Sequence, residues 1–286
     1  MNKIPLSLLL CLAFTACAQK KDVVYRSPAG YNLDKPKKYT MPQELEEISG
    51  IAFYKGDPKL LYAEQDEEGY IFSLKPGDEQ AVKVKFGKKG DYEDIAIAKE
   101  QVIILRSDGT LFTMPFTEVN AGAVTNVKEW KDLLPKAEYE SMYADENTGT
   151  IYILCKYCGQ DKKSGTLTGY ILRLTDNGTL TYDSHFTIGT QEIAALAGKK
   201  SVKFAPSALT RNKQKNKWFI LSSVNKLLVV ADESWKIEQV FHLDAALFTQ
   251  PEGITFDAEN NLYISNEAGN TQYGTVLKFP YDRAVR

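Results

Sequence analysis

The sequence predicts an all-β protein folded as a β-propeller of five four-stranded blades. The first observation is a repeated motif, in which a polar residue precedes a short apolar strand and a turn and a second apolar strand follow. Its copies begin at Glu47, Glu93, Glu140, Ser207 and Glu252. The second observation is their spacing of about 46 residues, apart from one longer interval, which is typical of propeller blades. The third is the content of 16 Tyr and 13 Phe, which suits pleated sheet.

The N-terminus predicts a targeting signal. A positive start is followed by an apolar stretch of about eleven residues, which is too short to span a bilayer. Residues 14–17, Phe-Thr-Ala-Cys, resemble a bacterial lipobox, so we expect a signal peptide over residues 1–16 and a lipid on Cys17. The alternative is an ordinary cleaved signal peptide that contains Cys17. We therefore expect a protein of the bacterial cell envelope, periplasmic or surface-exposed, that a lipid holds to a membrane.

Residues 17–38 are polar and predict a tether, and residues 39–286 predict a single propeller domain. Apolar runs between turn residues predict the strands of each blade. In chain order these are 49–53, 59–63, 70–74 and 81–86; 94–97, 101–106, 110–115 and 124–130; 141–144, 150–154, 169–174 and 180–186; 208–211, 217–222, 226–231 and 237–243; and 253–257, 261–265 and 275–279. The turn at residues 107–109, Ser-Asp-Gly, is the clearest hairpin signal.

Two irregularities decide the number of blades. Residues 190–202 predict a helical turn inserted before the fourth blade, and they account for most of the longer interval. If this insertion were itself a blade, the propeller would have six. The fifth blade lacks a fourth strand before the chain ends. A segment near residues 39–41 is placed to supply it, which would close the ring without an exposed sheet edge.

Glutamates at the start of the inner strands predict a metal site. Because the blades repeat one meander, Glu47, Glu93, Glu140 and Glu252 should converge at one mouth of the central channel, with Ser207 in the fifth position. Converging carboxylates repel one another unless protons or a counter-ion neutralise them. Oxygen ligands favour a hard cation such as Ca²⁺ or Mg²⁺. The alternative is structural, with glutamates that accept backbone hydrogen bonds or pair with lysines.

The loops between the second and third strands should lie on the same face and form a candidate binding surface. Their polar residues are Glu64, Asp66, Glu67 and Glu68 in the first blade, Asp108 in the second, Asn225 in the fourth, and Asn266 and Glu267 in the fifth. The net charge is −2 with both signs mixed along the chain, so binding to nucleic acid is not indicated.

Cys155 and Cys158 have C-x-x-C spacing after a predicted strand. The preferred interpretation is a disulfide that staples a loop in an oxidising compartment, and a redox role is the alternative. The two histidines, His185 and His242, are distant in sequence, so a four-ligand zinc site is not indicated. Both fall on predicted outer strands, which also gives no support to a Ser-His-Asp triad.

Three copies of the motif resemble the repeats of the SdiA-regulated family. They are residues 47–52 (Glu-Ile-Ser-Gly-Ile-Ala), residues 92–96 (Tyr-Glu-Asp-Ile-Ala), and residues 251–257 with 262–267. The resemblance extends from about residue 40 to residue 280. It implies a bacterial envelope β-propeller with calcium at the channel mouth, and it implies no particular reaction. The corners at Glu140 and Ser207 depart from the family pattern of Glu-Gly or Ser-Gly.

Two functions are compatible with these observations. The first is a membrane-anchored module whose loops, fixed by Ca²⁺, bind an unidentified small molecule or protein. The second is a metal-dependent hydrolase of lactone, ester or phosphoester bonds, with the cation as Lewis acid and a carboxylate as base. The loops are acidic, and clear additional ligands on the inner strands are missing, so the sequence favours the first. Whether the protein is an enzyme stays open.

Overall fold

The computed structural model describes residues 25–285, apart from the side chains of Lys162 and Lys163. The predicted signal peptide and Cys17 lie outside the described residues. Five four-stranded antiparallel sheets form a propeller, which confirms the predicted fold and shows that the six-blade alternative is wrong. The predicted short apolar runs form the strands. Successive side chains of a strand point to opposite faces of its sheet, so each run packs against both neighbouring blades.

The strands are numbered in chain order. The first blade contains β2 (Ile48–Phe53), β3 (Leu61–Gln65), β4 (Tyr70–Leu74) and β5 (Val82–Lys85). The second contains β6 (Tyr92–Ala98), β7 (Gln101–Arg106), β8 (Leu111–Pro115) and β9 (Lys128–Trp130). The third contains β10 (Glu138–Ala144), β11 (Thr150–Tyr157), β12 (Thr166–Leu174) and β13 (Leu180–Gly189). The fourth contains β14 (Ala208–Asn212), β15 (Lys217–Ser222), β16 (Leu227–Ala231) and β17 (Ile237–His242).

The fifth blade is closed by the other end of the chain. It contains β18 (Pro251–Phe256), β19 (Leu262–Asn266) and β20 (Thr275–Phe279), and its outer strand is β1 (Lys37–Thr40). Strand β1 pairs antiparallel with β20, with Tyr39 opposite Val276. The predicted closure by an N-terminal strand is confirmed. Backbone groups along β20 thereby gain partners that an open edge would leave exposed.

Among the described residues, three short α-helices lie outside the sheets: α1 (Phe116–Asn120), α2 (Asp161–Ser164) and α3 (Thr190–Leu196). Helix α3 occupies the predicted inserted turn. Helix α1 was not predicted, since its two buried residues, Phe116 and Val119, are too few to show a helical period. Within residues 25–285, no helix has the length and apolar character needed to cross a membrane.

Apolar side chains pack between neighbouring blades. Between the third and fourth blades, the rings of Trp218 and Trp235 stack with centroids 4.3 Å apart. Phe186 stacks on the other side of Trp235, at 4.0 Å. The edge of Tyr152 meets Trp218 at 4.7 Å. Such ring pairs add directional attraction to the burial of apolar area, and they fix the contact between the two blades.

The inner strands approach one another most closely at the ends where they begin. A Cβ atom on Gly50 would lie 2.5 Å from Asp94 Oδ1 and from the Ile95 backbone nitrogen. A Cβ atom on Gly253 would lie 2.4 Å from the Ser49 carbonyl oxygen of the first blade. Only glycine fits these positions without displacing backbone of the neighbouring blade. The channel is therefore narrow at this end.

The segment before β1 is packed on the propeller, whereas the sequence predicted a tether up to residue 38. Tyr31 and Leu33 are buried in the apolar cluster of the fourth and fifth blades. The Tyr31 hydroxyl donates a hydrogen bond to the Asn260 carbonyl, and it accepts one from each side-chain amide of Asn212 and Asn260. One aromatic and one leucine among polar residues give no periodic pattern, which explains the difference.

The first described residues lie at the outer edge of the fourth blade. Tyr25 and Arg26 line a surface pocket with His242 and Leu243 at the end of β17. Lys226, in the loop between β15 and β16, lines the same pocket. From there the chain passes to Tyr31, beside the ends of β14 and β18 on the opposite face.

Candidate functional site

Carboxylates gather on the face where the inner strands β2, β6, β10, β14 and β18 begin, and we call it the acidic face. Glu93, Glu140 and Glu252 reach this face because each lies near the start of its inner strand. The loops between second and third strands add carboxylates to the same face. The residues concerned are Glu47, Asp66, Glu93, Glu140, Glu252 and Glu267.

Three of these carboxylates form a compact group. Glu47, Asp66 and Glu267 each offer one oxygen, and the three oxygens lie within 4.8 Å of one another. Glu47 precedes β2, Asp66 follows β3, and Glu267 follows β19, so two adjacent blades supply the group. Glu267 is 8 % exposed. Three negative charges at this separation favour a bound cation over an empty site.

Glu64 extends this group below the surface. It is fully buried on β3, and one carboxylate oxygen accepts a hydrogen bond of 2.6 Å from the Gly50 backbone amide. The other oxygen, Oε2, is buried without a hydrogen-bond partner, as is Oδ1 of Asp66. Burial raises the pKa of Glu64, and the neighbouring charges of Asp94, Asp66 and Glu267 raise it further. Buried oxygens without donors are uncommon, and a cation would satisfy them.

The pKa values of the compact group are consistent with this crowding. Burial, reinforced by Glu47, raises the pKa of Asp66 to about 6. Burial and the charges of Glu252 and Asp66 raise the pKa of Glu267 to about 9. The Glu267 carboxylate also accepts a hydrogen bond from the Gln250 side chain, which orients it. Without a cation, this carboxyl therefore holds a proton near neutral pH.

Lys156 lies among the carboxyl groups of the other half of the acidic face. Lys156 pairs with Glu140, and its ammonium lies 3.4 Å from Glu138. Burial raises the pKa of Glu93 to about 10 and that of Glu252 to about 7, and Lys156 opposes both shifts. The predicted set of four glutamates is therefore divided. Glu47 joins Asp66 and Glu267, whereas Glu93, Glu140 and Glu252 lie around Lys156.

The disulfide between Cys155 and Cys158 spans the end of β11, where Lys156 lies. Both cysteines are buried, at the end of β11 and just after it. Asp161 lies close to the two sulfurs. Its carboxylate already accepts hydrogen bonds from the backbone amide and hydroxyl of Thr168, at 2.9 and 2.6 Å. Because the sulfurs bond to each other, this group offers no thiolate ligand for a metal.

The corner at Ser207 is structural. Its hydroxyl donates a hydrogen bond of 2.8 Å to the Pro251 carbonyl of the next blade, and it accepts one of 3.2 Å from the Ser223 amide. Asp94 forms an equivalent link, since its carboxylate accepts a hydrogen bond of 2.7 Å from the Met142 amide of the third blade. These contacts fit the structural alternative that the sequence left open for the strand corners.

The predicted loop residues have different environments. Asp108 pairs with Arg106 at 2.8 Å, and Asn225 accepts hydrogen bonds from the Ser222 hydroxyl and the Ala205 amide. Asn266 is fully buried with its side-chain oxygen unpaired. Glu64 lies beneath the face rather than on it. Strand spacing alone could not predict that Asp66 and Glu267 meet Glu47, because the contact joins loops of different blades.

A comparison with protein families supports the family resemblance. The family model described as SdiA-regulated matches residues 181–273, which confirms the resemblance over the fourth blade and parts of its two neighbours. A comparison with curated proteins gives no match.

Two solved propellers show the fold. The chain is similar to the glutaminyl cyclase of Myxococcus xanthus, with 14 % identity and a TM-score of 0.57, over 86 % of this chain and 94 % of that one. It is also similar to the calcium-binding protein regucalcin of Agrobacterium tumefaciens, with 11 % identity and a TM-score of 0.53, over 89 % and 95 % of the two chains. At these identities the likeness concerns architecture alone.

Proposed function

We propose that this protein is a lipid-anchored envelope module that binds Ca²⁺ through Glu47, Asp66 and Glu267, and that the cation orders the acidic face for a small-molecule or protein ligand. The observation that carries the proposal is the compact group of three carboxylates, in which Asp66 has a buried oxygen without a hydrogen-bond partner. The match to the SdiA-regulated family supports the choice of an envelope module over a defined enzyme.

Calcium fits the donors better than a transition metal. All the candidate donors are oxygen atoms, and neither histidine of the chain belongs to the group. Ca²⁺ accepts about six to eight oxygens in irregular geometry, which suits ligands that come from two blades. Regucalcin is described as a calcium-binding protein. That likeness supports only the architecture, so the proposal stands on the carboxylates themselves.

Calorimetric titration of Ca²⁺ into the chelator-treated mature protein tests the site. We expect saturable binding that is lost in the double variant Glu47→Gln, Glu267→Gln, because two of three anionic ligands disappear. The double variant Glu93→Gln, Glu252→Gln should retain binding, since neither residue belongs to the compact group of three carboxylates.

Glu79→Gln is the matched control, because Glu79 is exposed and, among the described residues, forms no ion pair. Retained affinity in the Glu47, Glu267 variant would contradict the site. Loss of binding in both double variants would instead favour the four-glutamate set that the sequence predicts.

Membrane anchoring is tested separately. Cells that express the full chain are labelled with an alkyne fatty acid, and we expect label on the wild type and none on Cys17→Ser. Membrane fractionation of the same cells should show the variant released. Equal labelling of both proteins would contradict lipidation at Cys17.

A metal-dependent hydrolase is the second candidate, and the surroundings of Glu252 favour it. The carboxyl of Glu252 lies beside the hydroxyls of Ser207 and Ser223 and near the ammonium groups of Lys156 and Lys226. A carboxylate beside a cation site can accept a proton from water. A screen of lactones, carboxyl esters and phosphoesters with Ca²⁺ present tests this. Turnover that Glu252→Gln abolishes would establish it, and no turnover would leave the binding module.

A further inference from the structure

Exposed apolar side chains are concentrated on the acidic face. Among the described residues, six large apolar side chains are more than a third exposed. Four of them lie in connections at the end of the propeller where the inner strands begin: Tyr157, Leu196, Val224 and Tyr273. Leu196 is 50 % exposed and Val224 is 68 % exposed. Single exposed apolar residues are ordinary, but their concentration on one face indicates contact with another surface.

Three of these four residues belong to one continuous surface over the third and fourth blades. The Lys203 ammonium lies over the ring of Tyr157, 4.9 Å from its centroid. The Asn225 side chain, in the loop that carries Val224, accepts a hydrogen bond from the backbone amide two residues after Lys203. Asn225 also lines the same surface pocket as Leu196. These contacts join the end of β11, the segment after α3 and the loop between β15 and β16.

Lysines accompany the apolar residues on this surface. Lys199, Lys200 and Lys203 follow α3, are exposed, and form no ion pair with a described residue. Glu192 is the one acidic residue in the sequence from 190 to 203, and it accepts a hydrogen bond of 3.3 Å from the Ile237 amide at the start of β17, the far end of that strand. The positive charge of the lysines is therefore available to another surface. We call the six residues the basic patch: Tyr157, Leu196, Lys199, Lys200, Lys203 and Val224.

The carboxylates of the compact group occupy a different part of the same face. Glu47 and Asp66 come from the first blade and Glu267 from the fifth, whereas the basic patch lies over the third and fourth. Charge is thus divided across the face, so an anionic surface can approach the basic patch without meeting the compact group first.

The chain leads towards the predicted lipid from beside the basic patch. Tyr25 and Arg26 line the pocket that contains Leu196. Residues 18–26 contain three basic residues and one acidic residue, so they add positive charge next to the patch. Basic residues close to a membrane anchor are attracted to anionic headgroups. The position of the anchor therefore selects a bilayer as the surface that this patch meets.

We propose that the basic patch docks on an anionic lipid bilayer. The three lysines contact the headgroup phosphates, and Leu196, Val224 and Tyr157 reach the boundary between headgroups and acyl chains. The inference deepens the proposed function, because it rests on the lipid at Cys17 for the choice of a bilayer. It does not depend on the calcium group. A lipid and a basic patch together hold a protein to a membrane more firmly than either alone.

Cosedimentation with lipid vesicles tests the docking on the mature protein with Cys17→Ser, so that no lipid on the protein contributes. EDTA is present throughout, so that the calcium group does not contribute either. We expect binding to phosphatidylglycerol vesicles that is at least about tenfold tighter than binding to phosphatidylcholine vesicles. Salt at roughly 0.5 M should remove most of it. No binding to phosphatidylglycerol, or equal binding to both lipids, would overturn the proposal.

A lysine variant tests the charge of the patch. It carries Lys199→Gln, Lys200→Gln and Lys203→Gln, and its affinity for phosphatidylglycerol vesicles should fall about tenfold or more. The matched control carries Lys75→Gln, Lys213→Gln and Lys236→Gln, which remove the same charge from exposed loops of the opposite face. The control should lose less than about threefold. Equal losses would reduce the effect to net charge and overturn the proposal.

An apolar variant tests the contact with the acyl boundary. Leu196→Ser with Val224→Ser should lower the affinity about fivefold or more, because apolar area no longer leaves water. Val82→Ser is the matched control, since Val82 is 64 % exposed on the outer strand β5 and lies outside the patch. It should bind as the wild type does. Unchanged affinity of the apolar variant would overturn the proposed insertion.

Hydrogen exchange on the protein without patch substitutions gives the position independently. Phosphatidylglycerol vesicles should slow exchange in residues 198–203 and 223–226 and leave residues 213–216, on the opposite face, unchanged. Protection of residues 213–216 alone would overturn the proposal. Binding of poly-glutamate without binding of vesicles would reassign the patch to an acidic protein and also overturn it.

The labelling of Cys17 is a separate result. Label on the wild type without vesicle binding by the Cys17→Ser protein would keep the anchor and overturn the docking. Vesicle binding without label would support the docking and contradict the anchor.

Discussion

Gly50 shows how a single residue sets the shape of the channel. Its Cα stands so close to the second blade that an added methyl group would meet backbone and a buried carboxylate. The Gly50 backbone amide also donates a hydrogen bond to the Glu64 carboxylate. A small residue here therefore serves both the narrow end of the channel and the buried part of the candidate cation site.

We expect Gly50→Ala to destabilise the protein by about 2 kcal/mol or more, because backbone must shift to remove an overlap in a packed interior. Chemical denaturation measures the change. Gly189→Ala is the control, since nothing lies within 4 Å of a Cβ atom there, and it should stay within about 0.5 kcal/mol of the wild type. Equal effects of the two substitutions would contradict the packing argument.

The identity of the candidate ligands could be predicted from the sequence only in part. The glutamate before each inner strand indicated which face is acidic. It could not indicate that Glu140 pairs with Lys156, because Lys156 reaches it from the end of β11, beyond the motif. Glu267 and Asp66 were visible as loop acids. Their meeting with Glu47 depends on how two blades pack.

At the scale of elements, the closing strand β1 is short but structurally important. Its four residues pair with β20, which lies near the other end of the sequence, and they complete the fifth blade. Tyr39 also packs against the core cluster of the first blade. Because β1 covers the apolar strand β20 and is itself the outer strand of the sheet, it replaces an apolar edge by a short polar one.

Removal of residues 25–41 should therefore lower the free energy of unfolding by about 3 kcal/mol or more, through lost ladder hydrogen bonds and exposure of apolar residues of the fifth blade. Thermal unfolding and size-exclusion chromatography measure both consequences, and we expect oligomers from the truncated chain. A matched deletion of residues 282–286, which leaves every strand intact, should remain monomeric. A stable monomeric product of the first truncation would contradict the closure argument.

The blades could be predicted because strand and turn signals recur with one period. The closing strand followed from the missing fourth strand of the last blade. The packed segment around Tyr31 could not be predicted, since its burial depends on hydrogen bonds with Asn212 and Asn260 from two blades. Helix α1 was missed for a similar reason, because neighbouring strands rather than its own sequence period hold it.

Across the whole molecule, crowded carboxylates make stability depend on pH. The pKa values of Asp66, Glu252, Glu267 and Glu93 are raised to about 6, 7, 9 and 10 in the fold. The folded state therefore binds more protons than the unfolded state between the ordinary carboxyl pKa of about 4 and these raised pKa values. Stability falls as pH rises through that window.

The melting temperature of the chelated protein should thus be higher at about pH 5 than at about pH 8. Added Ca²⁺ should raise it strongly at the higher pH and little at the lower, since the cation competes with protons for the same oxygens. Glu267→Gln should flatten the pH profile and remove most of the Ca²⁺ effect. A chelated protein that becomes more stable towards the higher pH would contradict this account of the acidic face.

The place where the chain joins the propeller sets how an anchored molecule would stand on its membrane. Tyr25 lies beside Lys226 at the rim of the acidic face, and it follows Cys17 by eight residues. Eight residues reach at most about 28 Å when fully extended. A lipid on Cys17 would thus keep the acidic face turned towards the bilayer, with the face where the inner strands end turned away. Anionic headgroups enrich divalent cations and protons in the layer beside them. The two faces of one small propeller would then sample different solutions, one the ionic layer of the membrane and the other the open compartment.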